Sequence, residues 1–369
     1  MLYFGIDQHG KQLTVNLRGE DGEVLLRRQV STRWGAVEAF FADLDKRSQE
    51  HGGFMAIVEV CGFNDWLLKV LAKYGARDVV LVQPEDRKKH KTDRRDAHRL
   101  SELLWINRQR LAGGTRLQGL RRVHIVSEQE AADRRLVGLR QRVGEMRTRV
   151  INRVKQLLRR QNRQHDCPTK GIQTQKARAW LQTLALTDLD RMELDHLLAQ
   201  WRLLEEQQAQ LERRLQERYE AHPQAKIVAT IPGAKAYTAL GLASRVPGIE
   251  HFPQPRSLAN FWGLTPGCRD SGESTQRLGS ITKQGSAVAR FLLGQLTLHV
   301  LRRDGVMREW FKRIKRRRGA KIARVAVMRR LATILWHMLK KQQPYAVAKA
   351  PRRQASQPQA TAASGASTT

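Results

Sequence analysis

The stretch from Leu2 to Val82 constrains the fold of this chain most. Leu2 to Asp7 is a short apolar run that ends in an acid. Lys11 to Arg18 alternates, with Leu13, Val15 and Leu17 on one face, and Glu23 to Val30 is a third strand-like stretch. His9-Gly10 and Gly19-Glu20-Asp21-Gly22 supply turns between them, so three consecutive strands are expected to be hairpin-connected. Trp34, Val37, Phe40, Phe41 and Leu44 then recur at helical spacing. Phe54 to Val60 reads as a buried strand with the acid Glu59 near its end, Trp66 to Tyr74 as a short helix, and Val79 to Val82 as a fifth strand stopped by Pro84. Hairpin strands followed by alternating helices and strands predict an α/β domain, a mixed sheet with helices on its faces.

The partner class follows from charge. The 369 residues include 67 Lys+Arg against 35 Asp+Glu, a formal net charge of +32, while 41% hydrophobic residues exclude a disordered basic tail. Folded chains this basic bind polyanions; nucleic acid comes first and an anionic membrane surface a distant second. No apolar run reaches the ~18 residues needed to cross a bilayer, the richest being Phe291 to Leu301, interrupted by Gln295 and His299. The amino terminus has no signal-peptide pattern. Cys61, Cys167 and Cys268 are odd in number and widely spaced, which argues against a disulfide framework or zinc knuckle and fits a reducing, cytoplasmic setting.

Beyond Thr92 the chain turns helical. Residues 108–163 hold 16 Lys/Arg and 4 Asp/Glu, and Leu136, Leu139, Val143, Met146, Val150, Val154 and Leu157 follow a 3,4 spacing. After a break around Pro168 comes a second series, Leu197, Trp201, Leu204, Gln208, Leu211 and Leu215. Together they predict a helical hairpin or coiled-coil arm, an element suited to oligomerisation. Residues 302–330 hold 13 Lys/Arg and 2 Asp/Glu. Within them Arg313, Lys315, Arg316, Arg317 and Arg318, with Lys321 and Arg324, are expected to form a phosphate-binding face. Trp310 and Phe311 beside them either stack on bases or pack into the core. The division expected is 1–107 α/β catalytic domain, 108–222 basic helical arm, 223–346 mostly α carboxy-terminal domain, and 347–369 a disordered tail of Ala, Ser, Thr, Gln and Pro.

In so basic a chain the acids at element ends are informative. Asp7 ends the first strand and Glu59 the fourth; Asp93 and Asp96 lie three apart, on one face of a helix start. Any one of them alone is ordinarily a turn or cap residue. If the first and fourth strands are neighbours, all four carboxylates converge, and a divalent metal such as Mg²⁺ relieves their repulsion. One or two such ions would promote in-line phosphoryl transfer.

These residues also carry a resemblance. The strand order with Asp7 and Glu59, followed by Lys91-Thr92-Asp93-Arg94-Arg95-Asp96-Ala97, resembles the RuvC-type, ribonuclease-H-like domain of the DEDD insertion-sequence transposases, a group that includes the pilin-gene inverting recombinases. The family's Asp, Glu, Asp, Asp pattern falls on Asp7, Glu59, Asp93 and Asp96. Ile231-Pro232-Gly233-Ala234-Lys235-Ala236-Tyr237-Thr238-Ala239 is similar to its helix-hairpin-helix segment, with Lys235 standing where the family has a second glycine. Such a hairpin offers backbone N–H groups to phosphate. The string Leu258-Ala259-Asn260-Phe261-Trp262-Gly263-Leu264-Thr265-Pro266, and the Ser-Gly pair after it, resemble the family's transposase domain. The resemblance assigns a nucleophilic serine to Ser271, with Ser274 and Ser280 as runners-up.

What the family implies is a DNA recombinase that cuts and rejoins strands through a serine–DNA ester. It implies magnesium at the acids, donor and target DNA and a non-coding guide RNA as partners, and a dimer or tetramer. His98 and His299 are candidate proton carriers, although a lone helical His is more often structural. Two other readings stay open. One is a metal-dependent, junction-resolvase-like nuclease that uses water; the other is a non-enzymatic nucleic-acid scaffold.

Overall fold

The computed structural model describes residues 1–83, 93–115, 117–268 and 278–346; at 93–95, 268 and 278 the backbone alone is described. Two compact units result, Met1–Ile125 and a second starting at Val126.

The first unit is built on five strands, β1 (Leu2–Gln8), β2 (Gln12–Arg18), β3 (Val24–Ser31), β4 (Phe54–Glu59) and β5 (Asp78–Val82). Their order across the sheet is β3-β2-β1-β4-β5. The β1–β2 and β2–β3 pairs are antiparallel, as hairpins must be, whereas β1–β4 and β4–β5 are parallel. The predicted α/β sheet and its strand limits agree with these to within a residue or two. Helices α1 (Trp34–Glu50) and α2 (Asp65–Lys73) cover one face. There Phe4 packs among Phe40, Phe41 and Phe54 at ring distances of 5.9, 6.1 and 6.3 Å. Helix α3 (Asp93–Ile106) covers the other face, where Leu100 and Leu104 pack with Tyr3, Ile57, Val80 and Val82. A one-turn helix, α4 (Arg108–Ala112), follows. The chain then returns to the sheet, with Val82 bridged to Arg122 and Val123 and Ile125 packed on the core.

The second unit is almost wholly helical. Helix α5 (Glu128–Arg160) begins at a capping box in which Ser127 and Glu130 exchange bonds. It packs along α7 (Asp188–Glu220), with the short α6 (Gln175–Thr183) between them in sequence. The seam uses Val143, Val150, Val154 and Leu157 against Leu197, Trp201 and Leu204, as the spacing predicts. Leu139 and Met146 of the same series are instead 42% and 50% exposed. Charged pairs flank the seam. Arg160 lies 2.6 Å from Asp190, Arg140 2.7 Å from Glu212, and Arg218 2.8 Å from the buried Asp133.

The remaining helices, α8 (Pro223–Ala229), α9 (Ala236–Ala243), α10 (Pro255–Phe261), α11 (Ala287–Arg303) and α12 (Gly305–Lys341), form one core around Trp262 and Leu292. Helix α12 bends at Gly319, whose φ of 84° is outside helical geometry. A small ribbon of β6 (Pro266–Cys268) and β7 (Leu278–Ile281) stands on this core. No helix among the described residues is long and apolar enough to cross a membrane.

Glu205 provides a pH-sensitive tie in the hairpin. Arg178 donates hydrogen bonds of 2.6 Å to both of its oxygens, and Trp201 Nε1 donates a third at 3.1 Å. The Arg178 hydrogen bonds hold the Glu205 carboxyl below the usual range, against the opposing push of burial. A depressed folded value stabilises above the ordinary glutamate pKa of about 4.3 and is lost as pH falls through the folded value. Thermal melts should therefore show a midpoint that drops on acidification below pH ~4, and Glu205→Gln should flatten that dependence.

Candidate functional site

The site begins with strand register. Because β1 and β4 are parallel and Ile6 pairs with Val58, the next residues, Asp7 and Glu59, stand level at the carboxyl ends of the two central strands. Strand alternation puts Tyr3, Gly5 and Asp7 on the face that α3 covers, and Ile57 and Glu59 share that face. Asp7 is 6% exposed, and its Oδ2 lies 3.0 Å from His9 Nε2.

Gly5 brings α3 down onto this face. A Cβ there would sit 2.4 Å from the backbone nitrogen of Ser101 and 2.5 Å from the carbonyl oxygen of Ala97, so only glycine permits the approach. Helix α3 runs against β1. Leu100 and Leu104 pack at Tyr3, and Ala97 and Ser101 lie over Gly5, so Asp96 and the first residue of the helix, Asp93, fall toward the Asp7 end. The three elements predicted to carry the acids are β1, β4 and α3, and α3 packs on the face that β1 and β4 share. Among the described side chains no group of three or more His, Cys, Asp or Glu comes close enough to hold a metal ion. The Asp93 side chain lies outside them. The four candidate acids offer only carboxylate oxygen, a donor type that suits a hard divalent cation.

Sequence reading missed the polar layer beneath α3. Arg18 is 8% exposed, yet its guanidinium donates to Ser101 Oγ at 3.1 Å and to the Gly22 carbonyl at 2.7 Å, and approaches His98 Nε2 at 3.0 Å. Ser101 Oγ in turn donates to Asn16 Oδ1 at 2.6 Å. Burial, then the Arg18 and Arg27 charges, lower the His98 pKa, so His98 is neutral near pH 7 and accepts from Arg18. The available signal was the alternation Thr14, Asn16, Arg18, a polar face on a strand whose other face is Leu13, Val15 and Leu17.

In the second unit Ile231-Pro232-Gly233 forms the turn between α8 and α9, with Ile231 buried and Gly233 at φ 87° against His299. Lys235 caps the start of α9 and is exposed. A pair of glycines clasps the base of the ribbon. A Cβ on Gly263 would lie 2.1 Å from the Gln284 carbonyl oxygen, and one on Gly285 would lie 2.0 Å from that of Phe261. Arg290 reinforces the clasp with a 3.0 Å bond to the Trp262 carbonyl. Ser271 and Ser274 lie outside the described residues; Ser280 is an exposed residue of β7.

Arg313, Lys315, Arg316, Arg317, Arg318, Lys321 and Arg324 are all exposed on α12 around the Gly319 bend, and none forms an ion pair with a described residue. Trp310 and Phe311 pack against the core, and Arg330 covers the Trp310 ring at 4.8 Å.

An α/β unit with Asp7 and Glu59 level at the ends of two neighbouring strands, joined in one chain to a basic helical unit, is an arrangement suited to acting on nucleic acid. Comparison with known proteins identifies the family. The model of the IS116/IS110/IS902 transposase family matches residues 225–312, and a DEDD transposase model of the IS110 type matches residues 4–162. The chain is 34% identical over 129 residues to the transposase for insertion sequence element IS1111A of Coxiella burnetii, covering 34% of this chain and 35% of that protein. It is 25% identical over 306 residues to a "Probable family 20 transposase" of Pseudomonas aeruginosa, covering 79% of this chain and 85% of that protein. The chain belongs to the IS110-type DEDD transposases.

Two outcomes follow. Gly5→Val should cost about 1–3 kcal/mol in equilibrium denaturation through overpacking and abolish activity, whereas Gly10→Ala, which meets nothing within 4 Å, should be silent in both measurements. Arg316→Ala and Arg317→Ala should weaken binding to DNA evenly across sequences and each lower the slope of log affinity against log salt by about 1 in titrations.

Proposed function

We propose that this chain transposes DNA by breaking and rejoining strands through a covalent serine–DNA ester, with Asp7, Glu59, Asp93 and Asp96 as the metal-binding acids and Ser271 as the nucleophile. One observation carries the reading. Asp7 and Glu59 stand level at the ends of two paired parallel strands, under the helix that Asp93 begins and on which Asp96 follows. The β3-β2-β1-β4-β5 order, with its one mixed arrangement of hairpins and parallel crossovers, supports a RuvC-like classification of this unit.

Magnesium held by these carboxylates would supply Lewis-acid polarisation of the scissile phosphate. The chain's own residues do the rest. The Ser271 hydroxyl gives up its proton, its Oγ forms a bond to phosphorus, and the bond from phosphorus to the departing strand's oxygen breaks, leaving that strand with a free hydroxyl. A hydroxyl from another strand then attacks the ester and releases Ser271. One ester is exchanged for another in each step, so no nucleotide triphosphate is needed. Exposed Arg313, Lys315, Arg316, Arg317, Arg318, Lys321 and Arg324, with Lys235, would hold the DNA backbone. A non-coding RNA guide, and a dimer or tetramer built through the long α5–α7 hairpin as a coiled-coil arm, complete the proposal.

Incubation of the protein with Mg²⁺, matched DNA and its RNA should give a protein–DNA adduct that survives denaturation. Ser271→Ala should lose it entirely, and Asp7→Asn or Asp96→Asn should slow its formation by at least about 100-fold. Full strand cleavage by Ser271→Ala would instead establish a nuclease that uses water. Unchanged activity in Asp7→Asn would remove the acids from the chemistry.

A further inference from the structure

The pairing of β1 with β4 ends one residue short of the acids that those strands carry. Its last partners are Ile6 and Val58. Past that point each strand keeps its outer neighbour, Asp7 pairing with Thr14 of β2 and Glu59 with Val82 of β5. Between β1 and β4 themselves, two side chains take the place of the next backbone rung. Asn64 Nδ2 donates to Gln8 Oε1 at 2.8 Å and to the carbonyl oxygen of Glu59 itself at 2.9 Å. Gln8, the residue after Asp7, closes the bridge by donating from Nε2 to the Phe63 carbonyl at 3.1 Å.

Gln8 and Asn64 are both buried. Asn64 commits its whole side-chain amide to the bridge. Both hydrogens of Nδ2 go to Gln8 and Glu59, and Oδ1 accepts from the Cys61 backbone N–H at 2.9 Å. That N–H can only donate, so it fixes which end of the amide is which. The Cys61 thiol approaches the same Gln8 oxygen at 3.6 Å. Asn64 also stands at the N-cap of α2, where an asparagine ordinarily accepts from the first N–H groups of its helix. Its side chain makes no such bond and turns back to the strand ends instead. Strand alternation puts Gln8 on the α1–α2 face and Asp7 on the α3 face. The bridge therefore lies behind Asp7 and leaves the face of the acids clear.

A buried polar group that loses its partner bears the full cost of desolvation. Asn64 is joined both to the backbone of Glu59 and to the side chain that follows Asp7, so the two strand ends cannot splay without that cost. We propose that Asn64 and Gln8 are positioning residues, which hold the Asp7 and Glu59 carboxylates at the separation that a shared divalent cation requires. They act through the two acids and touch neither the ion nor the DNA. The proposal rests on the metal-binding reading of those acids and adds to it the part of the fold that sets their spacing.

Titration of Mn²⁺ into the full-length protein, with the free ion read by electron paramagnetic resonance, tests it without DNA or turnover. Wild type should bind Mn²⁺ and Asp7→Asn should lose that binding. If wild type binds none, or Asp7→Asn binds as well as wild type, the metal reading falls and takes this proposal with it. Where both hold, Asn64→Ala and Gln8→Met should each weaken Mn²⁺ affinity by about 10- to 100-fold, the usual effect of losing a group that orients a metal ligand. Gln8→Met keeps the length of the side chain and leaves Asn64 its bonds to Glu59 and Cys61, so it decides the matter if Asn64→Ala does not fold. Asn107→Ala controls for general loosening. Asn107 is likewise buried and bonds the Leu103 carbonyl and the carbonyl and N–H of Gln118, just past the end of α3 remote from Asp96. Its loss should lower the melting temperature and leave Mn²⁺ affinity at the wild-type value. Wild-type affinity in Gln8→Met overturns the proposal, and so does a loss of affinity in Asn107→Ala equal to that in Asn64→Ala.

Discussion

The close approach of α3 to β1 over Gly5 governs the rest of the first unit. With backbone atoms of Ala97 and Ser101 inside the space a Cβ would need, the helix cannot slide or lift without leaving a gap over the central strand. That approach buries polar groups of β2 as well as apolar ones, and the structure satisfies them in place. Arg18 reaches Ser101, Gly22 and His98, and Ser101 reaches Asn16. A buried guanidinium left unbonded would cost several kcal/mol, more than the ~1–3 kcal/mol of a neutral group. The network therefore fixes the rotation of α3 as well as its height, and with it the direction from which Asp96 approaches the strand ends.

Charge is partitioned by the fold. In a chain with 67 Lys+Arg and 35 Asp+Glu, four acids of the helical unit meet arginines where helices join: Asp133 with Arg218, Asp190 with Arg160, Glu205 with Arg178, Glu212 with Arg140. Arg140, Arg160, Arg178 and Arg218 are thereby neutralised locally, whereas the cations of α12 around Gly319 have no ion pair with a described residue. The unneutralised face results from where the few carboxylates are placed as much as from the number of lysines and arginines. Even the interior follows this economy of acids. Arg245, 8% exposed, bonds the carbonyls of Gly241 and Arg134 in place of a carboxylate, and burial lowers its pKa to about 10.

The sheet was legible because each strand carries its own evidence. Turn glycines separate β1, β2 and β3, and apolar runs of strand length mark β4 and β5. The long helices were legible from their spacing, but the spacing overstated the seam. Leu139 continues the series in sequence and still faces outward, because α5 changes neighbours there, from the α8–α9 core at Val137 to the α6–α7 seam at Val143, and Met146 is exposed although Val143 and Val150 on either side of it belong to the seam. Periodicity reports which residues share a helix face and not where along the helix a partner begins or ends.

By itself the sequence determined the strands, the long helices, the basic character and the positions of the four acids. All of these are local properties, written in neighbouring residues or in the sum of charges. Tertiary structure alone decided that β1 and β4 pair in a register that levels Asp7 with Glu59, that Arg18 is buried under α3, and that Gln8 and Asn64 meet where that pairing ends. The last two lie 56 residues apart, and no pattern along the chain links them. Their meeting is a consequence of how the apolar core beneath the sheet brings β1 and β4 together, so the physics that creates the bridge acts on other residues than those that form it.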